Sequence, residues 1–595
     1  MNMKKLTTLL VVCALCNCIH AEPAQNVVKK VVQPDGTTLL LTLAGDERLH
    51  YYVTADGYPV LEEHGVYYYA EPTADNIVCT KVPAHDPDTR TTSERSMLQK
   101  PEVMTKQLSR VHAESWQKYP MAVGKPMANL QGTKRGLVIL MAFKNMPFVT
   151  PNVKQAVENM CNQAGYNYNQ ALGSVNDYFK DQSNGTFDLQ FDVVGPFTAE
   201  EDMEFYGNNG GMGKDQNVQL LITEAIDAAD ADGVDFRQYD WDNDGYVEQI
   251  YVLYAGYSES DGAPSSTIWP HESVLQTPRK RDGVRIKTYA CSSELTGRTG
   301  NTLDGISTMC HEFSHCLGLP DFYDVKSNSS GSVGNYGMNQ WSIMASGTRN
   351  ADGNIPPSFT GYEKAFCGWD TPIELNEPTN ISHLQPIASG GKCYKIVNPN
   401  NPNEYYLLEN RNGNTNWDKG LNSDGTGAAV NGLLVYHVTY DENIWAVNEV
   451  NASTRTIQRM VPIPADGNLE NYYSTIGGYH INPDGLAGDL YPYRTNSGSF
   501  NNALTDGTSP AASLNTPNTD GTYLMHKNIT DITKNTDGSI SFSFTSTTTD
   551  ITSATAHDNS KNDYYNLKGM FMGADAQKLP KGIYILNGKK VVIDR

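Results

Sequence analysis

The sequence lacks a long apolar run beyond its first residues, and it has little positive charge. Lys and Arg total 45 against 67 Asp and Glu, which gives a formal net charge of −22. Because that average charge would repel a polyphosphate partner, the composition argues against nucleic acid binding. No internal segment is long and apolar enough to predict a transmembrane helix. The Gly-x-Ser-x-Gly elbow of serine hydrolases is also absent.

Cysteine is scarce as well, with 10 in 595 residues. Cys13, Cys16 and Cys18 lie within the first 21 residues, so seven remain beyond them. An odd number leaves at least one thiol unpaired within the chain. Cys310 and Cys316 are expected to be small buried apolar residues. The positions define no disulfide pairing.

The first 21 residues have the pattern of an export signal. Lys4 and Lys5 provide the positive start, residues 6–14 the apolar core, and Ala21 the small residue before the cleavage point. An apolar core of this length is too short to span a membrane. The pattern predicts a secreted or cell-surface protein in a bacterial extracellular setting.

Length and periodicity predict a multidomain α+β protein. Beyond the signal, we expect a small β-rich pro-domain with an exposed connector at 22–125 and a twisted sheet carrying helices at 126–370. A β-sandwich is expected at 371–548, and a linker with a short tail at 549–595. The expected strands are residues 38–43, 50–53, 66–69, 137–143, 249–254, 405–408, 433–438 and 540–544, and residues 218–226 have helical spacing.

The most informative segment runs from His311 to Asp321 and reads His-Glu-Phe-Ser-His-Cys-Leu-Gly-Leu-Pro-Asp. On a helix, residues i and i+4 lie on one face, so His311 and His315 can direct their imidazoles at one metal ion while Glu312 reaches a water bound to it. Gly318 is suited to end the helix, and the turn after it returns Asp321 as a third ligand. This set of residues predicts a zinc site for metal-assisted hydrolysis.

The flanking residues support the motif. Residues 306–309 are compatible with a helix, for which Asp304 or Thr302 is the expected N-cap. Downstream, residues 341–347 read Trp-Ser-Ile-Met-Ala-Ser-Gly, and Met344 suits the Met-turn beneath such zinc sites. The alternative is a chance match, in which the helix carries two surface histidines and a solvated Glu. The Gly, the Asp and the Met-turn together argue against it.

At these residues the sequence resembles the immune inhibitor A family of secreted zinc metallopeptidases. This is a metzincin-like group whose motif is His-Glu-x-x-His-x-x-Gly-x-x-Asp. The likeness extends from about residue 31 to residue 544. It includes residues 56–60, Asp-Gly-Tyr-Pro-Val, and residues 405–411, Tyr-Tyr-Leu-Leu-Glu-Asn-Arg. The resemblance implies a metzincin-like zincin catalytic domain at 126–370.

Residue by residue, the resemblance implies that His311, His315 and Asp321 bind zinc, that Glu312 is the general base and that Met344 is the Met-turn residue. Two other carboxylates compete for the third ligand position, and the motif spacing favours Asp321 over both. They are Asp324, which lies close by in sequence, and Glu363, the kind of distant carboxylate that other zincins use.

One position departs from the pattern of some metzincins. They place a Tyr two residues after the Met-turn Met, where this chain has Ser346. Tyr336 and Tyr362 are therefore candidates to stabilise the transition state instead.

Together these residues predict a secreted zinc-dependent endopeptidase that is made as a zymogen and acts on protein or peptide substrates. A zinc-bound water would have a pKa of about 7, and Glu312 would take its proton and pass it to the leaving amine. Two other functions stay open. One is a surface glycan- or protein-binding adhesin with a structural zinc site, and the other is a zinc amidase or deacetylase acting on cell-wall material. A structural zinc normally has four protein ligands, whereas the motif supplies three.

Residues 240–248 match the first half of a calcium loop. Asp240, Asp242 and Asp244 occupy its first, third and fifth places, and Gly245 occupies the sixth. Tyr251 stands at the twelfth place, where an EF-hand needs a bidentate Glu. A non-EF-hand calcium site and a solvated acidic turn are both compatible with this pattern.

Two residues of the predicted pro-domain are candidates to block the metal before activation. Asp46, in Ala-Gly-Asp, resembles the aspartate switch of some metzincin proforms, and Cys79 offers a thiolate. An ordinary turn Asp and a buried Cys are the alternatives.

The end of the sequence carries a further resemblance. Residues 565–569 and 581–590 resemble the C-terminal sorting signals of a bacterial outer-membrane export route, which implies that secretion machinery is a partner. An ordinary hairpin is the alternative. His271 and His437 are expected to be hydrogen-bonded structural residues.

Overall fold

The computed structural model divides into two compact units between Thr545 and Ser546. Its secondary structure is mixed α+β, with many strands and few helices, which agrees with the predicted fold class. The predicted signal peptide lies outside the described residues. These are residues 28–46, 49–63, 65–73, 77–98, 104, 107–108, 123–209, 215–325, 336–423, 430–452, 457–469, 472–475, 478–481, 485–494, 498–546, 564–565, 571–573, 575–586 and 589–593.

The helices are short, and most of them pack on sheets. They are α1 (Thr92–Met97), α2 (Val153–Asn162), α3 (Val175–Gln182), α4 (Met203–Gly207), α5 (Val218–Ala231), α6 (Ser307–Cys316), α7 (Gly361–Phe366), α8 (Glu442–Trp445) and α9 (Gly485–Asp489). The predicted helical spacing at 218–226 is confirmed by α5. Among the described residues, no helix combines the length and the apolar character needed to cross a membrane.

The strands of the first unit form several separate sheets. They are β1 (Val28–Val32), β2 (Thr38–Asp46), β3 (Leu49–Thr54), β4 (Pro59–Glu63), β5 (Val66–Pro72), β6 (Ile77–Pro83), β7 (Gly132–Ala142), β8 (Phe187–Thr198), β9 (Tyr246–Val247), β10 (Ile250–Tyr257), β11 (His271–Arg281), β12 (Val284–Leu295), β13 (Ile373–Glu374), β14 (Thr379–Leu384), β15 (Tyr394–Asn398), β16 (Asn401–Asn412), β17 (Asn431–Thr439), β18 (Met460–Pro462), β19 (Tyr472–Thr475), β20 (Gly478–Ile481), β21 (Tyr493–Arg494), β22 (Phe500–Asn501), β23 (Lys527–Lys534) and β24 (Ile540–Ser546). Each predicted strand overlaps one of these.

The amino-terminal sheet is an antiparallel meander in the order β1-β2-β3-β4-β5-β6. Alternate residues of β2, Leu39, Leu41 and Leu43, are buried in its core, as a half-buried strand requires. Gly57 makes the turn between β3 and β4 with a φ of 86°. That conformation favours glycine, because a side chain would clash with the backbone.

The amino-terminal sheet also packs against the next part of the chain. Trp269 is fully buried in the core of this sheet, and its ring stacks on His50 with 4.4 Å between ring centroids. The His50 Nε2 atom lies 3.1 Å from Glu259 Oε2, and both side chains are 1% exposed. Ser265 donates a hydrogen bond to Glu62 from the same surface. The contact therefore combines a buried aromatic ring with a buried polar pair.

The central sheet has the order β11-β12-β10-β7-β8, with β9 beside β12. Strands β12, β10, β7 and β8 are parallel to one another, and β11 is the antiparallel edge strand. Apolar side chains cover both faces. Leu137 and Ile139 of β7 pack in the core that contains α5, whereas Val138 and Leu140 pack in the core that contains α2, α3 and α6. The motif helix α6 therefore lies on one face of this sheet.

The described residues after 371 in the first unit form two small two-stranded sheets, β19-β20 and β21-β22, and two larger ones. The larger sheets have the orders β13-β15-β16-β17-β18 and β14-β24-β23. Residues from both, such as Ile396, Leu408, Ile529 and Phe542, share one core. The opposite side of β17 contributes Leu434 and other residues to the core around α6. The motif helix and the carboxyl-terminal sheets are therefore joined by continuous packing.

The second unit is a small sheet with the order β26-β25-β27-β28, made of β25 (Tyr564–Tyr565), β26 (Phe571–Gly573), β27 (Gly582–Leu586) and β28 (Lys589–Ile593). Tyr564, Leu579, Tyr584 and Ile593 form its core. Its predicted role as a sorting tail stays a prediction.

A fully buried cation, Arg411, holds the segments of the first unit together. Its guanidinium donates two hydrogen bonds to Asp418, at 2.9 and 2.7 Å, and one to Glu409 at 3.1 Å. It also donates to the carbonyl oxygens of Trp341 and Ser358. All three charged side chains are 0% exposed. Because desolvation of a lone charge is costly, these partners are needed to keep Arg411 buried.

We expect Arg411→Met to lower the free energy of unfolding by about 3–5 kcal/mol, because it leaves two buried carboxylates without their cation. Urea unfolding followed by tryptophan fluorescence measures the change. The exposed neighbour provides the matched control, and Lys419→Met should change stability by about 0.5 kcal/mol at most. Equal stability of the two variants would show that the buried cation contributes little.

Candidate metal centre

The motif helix α6 is buried over its whole length. Its Phe313 ring stacks on Tyr251 of β10, with 5.9 Å between ring centroids and an interplanar angle of 14°. The N-cap residue is Ile306, which makes no side-chain capping bond, so the prediction of Asp304 or Thr302 as the N-cap is wrong. Asp304 instead accepts a hydrogen bond from Gly305 N. Because Ser307 N donates to the Gly353 carbonyl, tertiary packing replaces the missing cap.

Three potential ligand atoms converge at one point. His311 Nε2 and His315 Nε2 lie 3.1 Å apart, and Asp321 Oδ1 lies 3.4 Å from the first and 3.5 Å from the second. Around a tetrahedral zinc ion with Zn–N distances of 2.0–2.1 Å, ligand atoms lie about 3.3 Å from one another. The arrangement therefore fits zinc.

The two imidazoles are oriented by backbone carbonyls. His311 Nδ1 lies 2.8 Å from the Ile343 oxygen, and His315 Nδ1 lies 2.8 Å from the Leu319 oxygen. A carbonyl can only accept, so each Nδ1 carries the proton and each Nε2 presents a lone pair to the convergence point. This is the tautomer that a metal ligand needs.

Burial and the ligand charges determine the protonation of the three side chains. Burial, aided by the neighbouring His315, lowers the pKa of His311 to about 4. Burial also opposes charge on His315, but the Asp321 carboxylate outweighs it and raises the pKa of His315. Burial opposes charge on Asp321, and the two histidines outweigh it and lower the pKa of that carboxyl. An ionised Asp321 is the form that binds a cation.

Tight turns shape the loop that carries Asp321. Gly318 follows the helix with a φ of 98°, and a Cβ there would lie 1.9 Å from the Lys125 oxygen. The position thus requires glycine for both its backbone conformation and this close approach. Phe322 N then donates to the Met344 oxygen at 2.7 Å, which joins the loop to the Met-turn. Gly318 ends the helix as predicted.

Residues 342–344, in the predicted Met-turn, support the convergence point, mainly through their backbone. Ile343 binds His311, Met344 binds Phe322, and the Met344 side chain is fully buried. Ser342 Oγ accepts a hydrogen bond from Met344 N and donates one to Glu363. Motif reasoning identified Met344 but missed the carbonyl contacts, which leave no side-chain signal in a sequence.

The alternative ligand Glu363 is engaged elsewhere. Its Oε1 accepts from Ser342 Oγ at 2.5 Å, and its Oε2 accepts from Thr360 N and Oγ1 at 2.6 and 2.9 Å. It thereby completes the capping box of α7. Burial raises its pKa to about 7. Asp324 is buried too, but it is Asp321 that faces both imidazoles.

Glu312 lies beside the two histidines on α6. Its carboxylate and the His311 and His315 nitrogens form a group with all ligand atoms within 4.8 Å of one another. The side chain is 1% exposed, and its backbone oxygen accepts a hydrogen bond from Gln249. A carboxylate in this position can exchange a proton with a reactant held at the convergence point.

The two candidate tyrosines and the two cysteines of the motif helix differ in burial and in packing. Tyr362 packs on Phe322 with 5.5 Å between ring centroids, and burial raises its pKa well above 10. Tyr336 is half-buried and precedes Gly337, where a Cβ would lie 1.8 Å from the Phe322 oxygen. Cys310 and Cys316 are buried, as predicted, and burial raises both thiol pKa values.

The two candidate latency residues lie in the amino-terminal sheet. The side chain of Asp46, at the end of β2, falls outside the described residues. Cys79 is half-buried in β6, and burial raises its pKa, which disfavours the thiolate. His271 contacts the Trp269 oxygen and Tyr289, and His437 contacts Glu404, so both are hydrogen-bonded as predicted.

The acidic loop, residues 240–248, contains three carboxylates that bind backbone N–H groups of the same loop. The carboxylates of Asp240, Asp242 and Asp244 lie within 4.8 Å of one another, and each accepts a backbone hydrogen bond. Burial raises the pKa of Glu248, at the ninth place of the loop, to about 8. Tyr251, at the twelfth place, points into the core and donates to Ser292.

An asparagine far along the chain contacts Asp321, the predicted third ligand. Asn448 Oδ1 accepts a hydrogen bond from Asp321 N, and Asn448 Nδ2 donates one to Asp321 Oδ2, both at 2.6 Å. Sequence reasoning missed this residue, because 127 positions separate the two and no motif marks the pair.

Comparisons with known proteins agree with the geometry. Residues 159–371 match the family model described as immune inhibitor A peptidase M6, catalytic domain. The pre-pro-metalloprotease PrtV of Vibrio cholerae is 25% identical over 224 residues, which cover 32% of this chain and 23% of that protein. Immune inhibitor A of Bacillus thuringiensis subsp. alesti is 26% identical over 221 residues, which cover 33% of this chain and 32% of that protein.

The chain thus spans about a quarter to a third of the length of these relatives. All of the motif residues from His311 to Met344 lie inside the matched region. The resemblance to the immune inhibitor A peptidases, which the motif predicted, is confirmed for residues 159–371.

Proposed function

We propose that the protein is a secreted zinc-dependent endopeptidase that hydrolyses protein or peptide substrates. The observation that carries the proposal is the convergence of two imidazole nitrogens and one carboxylate oxygen beside Glu312, within a region that matches a peptidase catalytic domain. One relative is named a pre-pro-metalloprotease, in keeping with peptide hydrolysis, and the other bears the name of the family whose peptidase model matches residues 159–371.

In the proposed mechanism, His311, His315 and Asp321 would hold the zinc ion. When bound there, zinc would polarise the scissile carbonyl and acidify a water molecule. Glu312 accepts a proton from the attacking water and then delivers it to the leaving amine. The carbonyls that bind both Nδ1 atoms keep the imidazoles in the ligand tautomer throughout. Tyr336 and Tyr362 are the candidates to stabilise the developing oxyanion.

Two other functions use the same residues differently. A structural zinc in an adhesin would leave Glu312 without a chemical role, whereas an amidase or deacetylase would keep the chemistry and change the bond. The buried Glu312 carboxylate beside the two imidazole nitrogens favours a catalytic site over a structural one. Substrate tests separate a peptidase from an amidase.

We expect Glu312→Gln to retain zinc and to reduce the rate of casein hydrolysis by about 10²–10⁴-fold, because the amide cannot transfer the proton. Casein zymography and zinc content by elemental analysis measure the two effects. Addition of a chelator should abolish the wild-type activity, and zinc should restore it. Cys316→Ala, on the same helix and outside the ligand set, is the control that should retain activity.

Full activity of Glu312→Gln would contradict its role as the base. Zinc binding by the wild-type protein without casein hydrolysis, together with release of acetate or of cell-wall fragments, would favour the amidase or deacetylase. Zinc binding without any hydrolysis, by protein whose residues 22–125 have been removed by proteolysis, would favour the adhesin.

The same proposal covers the organisation of the chain. We propose a signal peptide at 1–21, a pro-domain and connector at 22–125, a catalytic domain at 126–370, a β-sandwich at 371–548 and a sorting tail at 549–595 that engages outer-membrane secretion machinery. The pro-domain would maintain latency, with Asp46 or Cys79 as the blocking residue. The buried contacts of His50, in the amino-terminal sheet, with Glu259 and Trp269 support a stable zymogen.

We further propose that the acidic loop binds calcium. Asp240 Oδ1 is buried and accepts no hydrogen bond from any described residue, so it is available to a cation. The neighbouring carboxylates of Asp242 and Asp244 lie close enough to share that ion. Oxygen ligands of this kind suit calcium rather than zinc.

We expect calcium to raise the melting temperature of the wild-type protein, since a ligand at 100 times its Kd stabilises the folded state by about 2.7 kcal/mol. The double variant Asp242→Asn and Asp244→Asn should lose this shift, because it removes two anionic ligands. Differential scanning fluorimetry with and without calcium measures it. Asp232→Asn, at an exposed position, is the matched control. A calcium-independent wild-type melting temperature would favour the solvated acidic turn.

A further inference from the structure

Asn448 contacts the proposed zinc ligand Asp321 at two points. Its carbonyl oxygen accepts from Asp321 N and its amide donates to Asp321 Oδ2, each at 2.6 Å. Both side chains are buried, at 1% and 2% exposure. The amide group of one asparagine therefore binds the backbone and the side chain of the same aspartate.

This pair of hydrogen bonds determines which carboxylate oxygen faces the imidazoles. With Oδ2 engaged by Asn448, Oδ1 lies 3.4 and 3.5 Å from the two Nε2 atoms. A carboxylate held in this way does not lose rotational freedom when it binds a cation. The contact therefore prepares Asp321 for metal binding before the metal arrives.

The backbone around Asn448 is itself braced. Asn448 has a φ of 56°, a left-handed conformation that asparagine and glycine tolerate best, and its N–H donates to the Trp445 oxygen. Asn451 donates to the Phe322 and Met460 oxygens and accepts from Met460 N. The segment 445–451 is thus attached both to the ligand loop and to β18.

Residues 124–125 make close contacts with both this segment and the end of the motif helix. A Cβ at Gly124 would lie 2.6 Å from Ala446 N, and one at Gly318 would lie 1.9 Å from the Lys125 oxygen. Gly124 N also donates to the Gly318 oxygen. Residues 124–125 therefore fill the space between α8 and the end of the motif helix, so the position of Asn448 is closely defined.

We propose that Asn448 is a positioning residue for the third zinc ligand, and that residues 445–451 complete the metal centre from outside the region that matches the catalytic domain model. The match ends at residue 371, whereas Asp321 is supported by Asn448, in the segment that connects β17 and β18. This inference rests on the proposed zinc site. It predicts a role in metal affinity that is separate from any role in folding.

The test compares zinc affinity with stability in purified full-length protein. Asn448→Gly removes the side chain and still tolerates the left-handed backbone, so it isolates the amide contact. Its zinc dissociation constant, measured by competition with a fluorescent chelator, should rise about 10–100-fold. The melting temperature of the metal-free form should fall by no more than it does in Asn451→Ala, because both substitutions remove buried hydrogen bonds. Asn443→Ala, at an exposed site on α8, should change neither quantity.

Asn451→Ala supplies the comparison for a purely structural role. It loosens the same segment without touching Asp321, so we expect a lower melting temperature of the metal-free form and a zinc dissociation constant within a few-fold of the wild type. If zinc affinity instead followed the melting temperature across both variants, Asn448 would be structural only and the proposal would be overturned.

Two further results are decisive. Wild-type zinc affinity in Asn448→Gly would overturn the proposal while leaving the zinc site intact. A wild-type protein that binds no zinc would overturn the site itself and this inference with it. Should Asn448→Gly fail to fold, Asn448→Ser, whose side chain is too short to reach both atoms of Asp321, carries the same expectation.

Discussion

The structure depends on the convergence of three polar side chains in an apolar interior. His311, His315 and Asp321 are each at most 4% exposed, and such groups are costly to bury unless every polar atom has a partner. Backbone carbonyls satisfy the two Nδ1 atoms, and Asn448 satisfies one carboxylate oxygen. The three atoms left over all face one another. These two nitrogen atoms and one oxygen atom can lie so close together favourably only when a cation binds between them or when they share a proton. This explains why their spacing fits a zinc ion.

The elements that meet this requirement come from distant parts of the chain. The motif helix supplies two side chains, and the predicted Met-turn supplies two carbonyls. Strand β16 supplies the buried Arg411, and the segment between β17 and β18 supplies Asn448. Because Arg411 binds the Trp341 oxygen, its charge network supports the backbone that leads into the Met-turn. A single continuous core runs beneath all of them. The proposed metal centre therefore depends on the packing of the whole unit and not on one helix alone.

Features that depend on neighbouring residues could be predicted, and those that depend on packing could not. The His-Glu-x-x-His spacing determines which side chains share a helix face, so His311, Glu312 and His315 were identified together. The end of the helix at Gly318 could be predicted from local backbone preference, and the strand positions could be predicted from the alternation of apolar and polar residues. The predicted N-cap of α6 was wrong because tertiary contacts at Ser307 replace a side-chain cap.

The role of Asn448 left no signal in the sequence, since hydrogen bonds between residues 127 positions apart form only when the fold brings the partners together. Glu363 matched the chemistry of a ligand, yet its hydrogen bonds to Thr360 and Ser342 occupy both oxygens.

The burial of Trp269 gives the molecule an internal optical reporter. Its indole lies within the amino-terminal sheet and stacks on His50, so its emission reflects an apolar environment. Any event that separates residues 28–98 from the rest of the unit would transfer that indole to water and shift its fluorescence to longer wavelength. Other tryptophans, such as Trp341, Trp417 and Trp445, are buried in the core around the motif helix and would keep their surroundings. Detachment of the amino-terminal sheet is therefore spectroscopically distinct from global unfolding, with no label added to the chain.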